Sequence, residues 1–394
     1  MARTRQIYAD TALFVGPTGQ NSATGKHYSL SPFKNNPPST AEMFSGDNFI
    51  AELYRIQRVS WNAQKNLTDV NQLGELAAID RVPLSPPTVS MSVEWIQANV
   101  INESLMGLTV TAAGGVQISC ISGLLAGNTS PKNYFLKTVA EGQDVADNAP
   151  TNYNVIALGN GFISSYTAQG AVGGFPTVSV ALDGLNIQAD SITAATGVLI
   201  PAINPSDASL ITGYYYKLPS GLTSYNDAGL SNNFGISALR PGDITLSLGL
   251  NAQGDTFFDP NDLKIQSYNI SFNLNQQDLQ KLGSKYAFAK VPQFPVVASM
   301  QVQAIVGEFV TGKLTEIVNN NFSFNPTVTI TKPGDTTTTV VKYTLANAKL
   351  DTQSSDINVG ANKTLDLTFN TQIGGPSDTT KGVYIQGVTV NAAT

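Results

Sequence analysis

The feature that most constrains the fold is a match of the chain to itself. Shifted by 209 positions, Ile56 to Val93 lies over Ile265 to Val302 without a gap. Thirteen of the thirty-eight positions are identical, among them Asn66/Asn275, Asp69/Asp278, Leu73/Leu282, Gly74/Gly283, Pro83/Pro292, Pro86/Pro295 and Met91/Met300. Unrelated segments of average composition share roughly two or three. Arg81/Lys290 and Ile79/Phe288 are conservative pairs. Such a match predicts two copies of one structural unit.

The hydrophobic pattern repeats with the letters. Val59, Trp61 and Ala63 alternate with polar residues, and Tyr268, Ile270 and Phe272 hold the same phase. A period of two predicts strands with one buried face. Ile56 and Ile265 are both out of phase with the strand that follows, as a shared bulge would make them. Val89, Met91, Val93 and Trp95 predict the returning strand, matched by Ala298, Met300, Val302 and Ala304. A second block, Val172 to Leu182, lies over Val359 to Phe369 at an offset of 187. Each block is a Gly turn followed by a period-two strand. The change of offset gives the first copy 22 more residues between its blocks, read as loop.

These patterns predict a mainly β chain of two tandem sandwich or barrel units with long hairpin loops. Residues 1–50 form an N-terminal arm with a first strand at Thr11–Val15, and residues 51–200 the first repeat. Residues 201–260 form a Gly-, Ser- and Asn-rich connector or inserted outer element, with a candidate strand at Asp243–Leu248; residues 261–394 form the second repeat. Pro333-Gly334-Asp335 between two Thr- and Val-rich runs predicts a hairpin. Helix signals are few; the best lie in the long loops, at Asp69–Ile79 and Gln276–Phe288, and each loop is expected to hold one short helix. The Pro pairs 83/86 and 292/295 end any such helix and start the next strand.

Composition narrows the function. Charged residues are 13% of the chain, about half of the usual ~25%. Either this is a β-protein with a neutral surface, or much of the surface is covered by other subunits, since interface cores are depleted in charge. The net charge of −6 argues against tight binding of nucleic acid, which takes Lys and Arg to displace counterions. Arg3 and Arg5 are too few for a nucleic-acid arm. No segment near Met1 has the apolar length of a signal peptide, and none approaches the ~20 apolar residues of a membrane span. Assembly in a cytoplasm and no membrane contact are therefore expected.

Candidate chemistry fails residue by residue, so neither enzymatic activity nor a cofactor is expected. The single histidine, His27, reads as a solvated loop residue, which leaves no Ser–His–Asp or Cys–His arrangement. One His and one Cys do not make a zinc site. Cys120, in an alternating segment, reads as a small buried hydrophobe, and no intrachain disulfide is possible. Gly19 to Lys26 is similar to a phosphate-binding loop, but five residues separate its glycines where four are needed, and His27 stands where Ser or Thr should. It reads as a flexible arm. Asp255, Asp259 and Asp262 cluster with Asn251 and Asn261 at no calcium-loop spacing and read as a solvated turn.

The segment Arg58 to Trp95 resembles the central hairpin of the bacteriophage major tail tube protein family, in its duplicated, two-unit type. The likeness lies in two strands joined by a long loop with Leu-Gly, then a basic residue, then Pro before the returning strand. Here these are Leu73-Gly74, Arg81, Pro83 and Pro86, and again Leu282-Gly283, Lys290, Pro292 and Pro295. The resemblance implies a virion protein whose units form a six-membered ring around an inner β-barrel. Two fused units per chain imply homotrimeric, pseudo-six-fold rings stacked into a tube, with other tail proteins as partners. DNA would pass the lumen without specific binding, which the acidic balance favours. The long loops would stack ring on ring, their charges meeting partners across that contact. Asn66, Asp69, Leu73, Gly74, Ile79 and Arg81, with Asn275, Asp278, Leu282, Gly283, Phe288 and Lys290, are the candidate inter-ring residues. The rival readings are another structural phage protein, such as a decoration or baseplate component, and a carbohydrate-binding adhesin using Tyr214-Tyr215-Tyr216.

Overall fold

A computed structural model describes residues 11–16, 18, 50–112, 114–121, 131–140, 145, 152–193, 198–211, 215–216, 218, 239–247, 263–306, 322–335, 337–356, 364–375 and 378–387. In chain order the first strands are β1 (Thr11–Gly16), β2 (Ala51–Glu52), β3 (Ile56–Gln64), β4 (Leu67–Val70), β5 (Asp80–Pro83) and β6 (Thr88–Ile96). One short helix, α1 (Ile101–Leu105), follows. Then come β7 (Val110–Ala112), β8 (Lys132–Thr138), β9 (Asn152–Ala171), β10 (Thr177–Gly184), β11 (Asn186–Thr193), β12 (Val198–Leu199) and β13 (Tyr215–Tyr216). The remainder are β14 (Ile244–Ser247), β15 (Leu263–Asn273), β16 (Gln276–Leu279), β17 (Ala289–Pro292), β18 (Val297–Val306), β19 (Thr327–Thr331), β20 (Thr339–Ala346), β21 (Lys349–Asp356), β22 (Thr364–Gln372) and β23 (Gly382–Gly387). The fold is mainly β.

The principal sheet runs β3-β6-β10-β9-β15-β18-β22-β21, every neighbour antiparallel. Alternation decides its faces. Met91, Val93, Trp95, Val180, Tyr166, Ile270, Met300 and Leu367 point to one side and are buried in a single core. Burying each such side chain stabilises by roughly 1.5–3 kcal/mol before entropy is counted. The intervening residues, mostly Ser, Thr, Asn and Gln, point to the other side.

The two halves of this sheet keep the same register. Val59 lies opposite Val93, and Tyr268 opposite Val302, the same positions 209 apart. The ladder of each hairpin is irregular at matching places, Ile56/Arg58 and Ile265/Ser267. The extra residue explains why Ile56 and Ile265 are out of phase with their strands. Thr167 lies opposite Ser179, and Ser354 opposite Asp366, the same positions 187 apart. Here too the irregularities match: one falls between Ala181 and Leu182, the other where Thr368 and Phe369 face Thr352 and Leu350.

Behind the principal sheet lie two others. The first half of β9 pairs with β8 and β11, and β1 lies between β8 and β2. At Asn160, with φ +50°, β9 leaves that sheet for the principal one. The other sheet runs β14-β19-β20-β23, with β7 added in parallel. Asn347, with φ +52°, stands between β20 and β21, 187 positions after Asn160. Asn is one of the few residues that tolerates this left-handed conformation. The strand order β1-β8-β9-β11 thus has its counterpart in β14-β19-β20-β23. Residues read from the sequence as arm and connector supply one strand to each sheet, β1 and β14.

The short helices expected in the long loops are not formed. Each loop instead holds a two-stranded ribbon, β4 with β5 and β16 with β17. Gly74 (φ +95°) and Gly283 (φ +83°) turn the chain where a helix would have to continue. An isolated helix of that length is marginal in water without an apolar face to bury, and residues 67–81 are exposed throughout. His27, Gly19–Lys26, Arg3, Arg5 and the cluster Asp255, Asp259 and Asp262 lie outside the described residues, as does Tyr214.

Candidate functional site

The structure brings the candidate loop residues together in pairs within each loop. Asp69 lies opposite Arg81 in β4–β5, its carboxylate 2.5 Å from the guanidinium; Asp278 lies opposite Lys290 in β16–β17 at 2.7 Å. Each charge has a partner within its own ribbon. An exposed pair such as Asp69–Arg81 contributes only about 0–1 kcal/mol. Asn66 closes the base of the first loop, its amide donating to the Pro86 carbonyl at 2.9 Å. At the base of the second, the Asn275 carbonyl accepts from the backbone of Gln293 at 2.8 Å. Ile79 and Phe288 donate their backbone N–H to Val70 and Leu279, which fixes both loops alike.

The loops differ in what covers them. Leu73 and Leu282, at the two tips, are fully exposed, and nothing lies within 4 Å of where a Cβ would stand on Gly74 or Gly283. Positive φ, not crowding, is what requires glycine there. Beyond the tip the second loop returns to the body of the protein. Tyr286, Ala287 and Phe288 pack against Leu185, Ile203 and Ala208, and the Gln276 side chain donates to the Ile163 carbonyl at 2.9 Å. Among the described residues the first loop has no such seat: Ile79 is half-exposed, and Leu76 and Leu84 are open to solvent.

Sequence reasoning singled out no polar face, and the structure gathers one. Side chains of Ser92, Ser179, Thr167, Asn269, Gln301 and Thr368 share one side of the principal sheet, interspersed with Glu94, Asp183 and Asp366. Arg58 lies opposite Glu94 across β3 and β6. Over the middle strands this face is hollowed by a depression of about 630 Å³ lined by Gln169, Asn269, Gln301, Asp366 and Thr368. The signal was present in the sequence as small polar residues at every second position of each strand. A period of two, however, does not say which side faces water and which a partner.

Beneath the apolar side is a buried polar cluster. Glu103 of α1 accepts from the Tyr166 hydroxyl at 3.3 Å, the Tyr166 and Tyr343 hydroxyls are 2.9 Å apart, and the Gln97 amide donates to Tyr343. Burial pushes the Glu103 carboxyl up to about 8. The cluster joins β9 to β20 directly and ties α1 to β9, and solvent has no access to it. Burial likewise pushes the Cys120 thiol up, away from reactivity. Among the described residues no group of three His, Cys, Asp or Glu side chains could hold a metal ion, and no helix is long and apolar enough to cross a membrane.

No family model matches the sequence, and no curated protein matches it. Several solved structures match in part. A chain from the extended sheath–tube complex of an extracellular contractile injection system shares 13% identity, covering 40% of this chain and 97% of that one, at a TM-score of 0.28. A chain from the virion of a native gene transfer agent particle shares 13% identity over 38% of this chain and 98% of that one, at 0.26. A chain from the anti-feeding prophage baseplate shares 14% over 37% and 91%, at 0.26.

Proposed function

We propose that the protein is a structural subunit of a bacteriophage tail tube, built from two tandem copies of one β unit and closing into rings with copies of itself. The observation that carries this reading is the principal sheet. Its halves keep one register and are joined edge to edge by β9 and β15, while β3 and β21 have no strand on their outer sides among the described residues. Open edges of a long sheet are a liability that ring closure removes. Three chains of two units complete a pseudo-six-fold ring, the homotrimer. The polar face would line the lumen. Its small uncharged groups and interspersed carboxylates, with Arg58 set against Glu94, give DNA no continuous cationic surface to stick to, so a chain of phosphates slides past. The exposed tips at Leu73 and Leu282 would reach a neighbouring ring, and the tube ends would meet other tail proteins in the virion. Negative-stain microscopy with native mass measurement of the purified protein tests this reading. Stacked rings or tubes with three chains per ring are expected; a stable monomer, or six chains per ring, overturns it.

A further inference from the structure

We infer that the chain's internal β9–β15 seam is the template for the contact between chains: β21 of one copy pairs antiparallel with β3 of a second copy, Ser354 opposite Asn62. The inference rests on the ring reading above and adds the strands, their direction and their register.

The argument starts from what β3 lacks. β15 matches it position for position, and on β15 Tyr268, Ile270 and Phe272 are 3%, 0% and 1% exposed. They are covered because β9 lies alongside, with the Tyr166 ring stacked on Phe272 at 5.2 Å. On β3 the residue matching Ile270 is Trp61, 48% exposed, and the residue matching Phe272 is Ala63, also exposed. β3 therefore carries the apolar alternation of an inner strand in the position of an edge strand. The loop that follows it has the same deficit: residues 67–81 are exposed, whereas Tyr286, Ala287 and Phe288 of the second loop pack against Leu185, Ile203 and Ala208. A strand placed as β9 is would cover the apolar side of β3 and bring the body of a second chain up to the loop. The strand matching β9 is β21, at the opposite edge of the same sheet, and only a second copy can bring it to β3.

The matching offsets fix the register. Within the chain Thr167 faces Ser271 and Ser165 faces Asn273. Carried to the outer edges, these become Ser354 opposite Asn62 and Thr352 opposite Gln64. All four residues are exposed, and both pairs lie on the polar side. The apolar side of β3 then continues the apolar side of the sheet. A slip of one residue would set the polar side of β21 against the apolar side of β3, so the register is strongly specified.

Cysteine cross-linking reads the register directly. Asn62→Cys with Ser354→Cys, and separately Gln64→Cys with Thr352→Cys, are oxidised in the assembled full-length protein. The native Cys120 is fully buried and stays silent. Arg58→Cys with Thr352→Cys is the control, six residues out of register and roughly 20 Å apart at ~3.3 Å per residue. Covalent ladders are expected from both in-register pairs, also when the single-cysteine chains are mixed, and none from the control. In wild-type rings the β3 amides should exchange at least about tenfold more slowly than in the free chain. Rings that form with neither in-register pair linking, or with β3 exchange unchanged, overturn the seam and leave the ring reading standing. Wild-type chains that never associate overturn both.

Discussion

Replacing Glu103 with Gln should stabilise the protein by an amount that grows with pH. Glu103 is fully buried in α1 and has only polar neutral neighbours in its cluster, Tyr166, Tyr343 and Gln97. Burial is the largest influence on its carboxyl and raises it from 4.5 to about 8. A raised acid binds its proton more tightly in the folded state. Below pH ~4.5 both states are protonated and nothing is lost. Between about 4.5 and 8 the unfolded chain ionises while the folded one does not, so stability falls as pH rises, by up to ~1.4 kcal/mol per pH unit. At pH 7 the accumulated cost is on the order of 3 kcal/mol, an upper bound if the site relaxes on ionisation. Gln carries no such cost. Its carbonyl can accept from Tyr166, and its amide can donate to the Gln97 carbonyl oxygen, which is buried without a partner. Glu52, also raised to about 8 by burial against the opposing pull of Lys137, is common to both proteins and cancels. Urea unfolding of wild type and variant at pH 5, 6, 7 and 8 checks this. The stability difference should widen with each step up to pH 8; a difference that stays constant across that range refutes the reasoning.

The two long loops should respond differently to truncation. Deleting Val70–Ala78 should leave the unfolding midpoint almost unchanged but abolish polymer formation, because those residues are exposed in the free chain. Deleting Leu279–Ala287 removes Tyr286 and Ala287 from a packed cluster and should cost roughly 2–5 kcal/mol in denaturant unfolding. Trp61→Ser should shift the stability of the free chain by less than about 0.5 kcal/mol and still weaken ring formation, read by sedimentation against wild type. Gly159→Ala should cost about 3 kcal/mol or more, because its Cβ would stand 2.1 Å from the Pro201 carbonyl oxygen; thermal unfolding measures it.

Much of the fold was legible residue by residue. The alternation at Val59, Trp61 and Ala63 named the apolar side of β3, and the misplaced Ile56 and Ile265 marked the bulges that the register contains. The hairpin at Pro333-Gly334-Asp335 formed where its turn residues stood, with Gly334 at φ +81°. The loops were misread as holding helices because Gln276–Phe288 has helix-forming letters. What decided the outcome was a cross-strand charge pair and a glycine turn that leaves only short segments on either side.

The sequence by itself determined the local periods, the matched positions of the two halves and the burial of small residues such as Cys120. These follow from side-chain alternation and backbone preference, which act over a few residues. Only the tertiary structure decided that β9 bends at Asn160 to serve two sheets, that β9 and β15 meet, that Glu103 is sealed under Tyr166, and that β3 and β21 are left at the edges. Alternation says which face of a strand is apolar, but both backbone edges of a strand are chemically alike. Which strand lies beside which is settled only when the whole sheet competes for its hydrogen bonds.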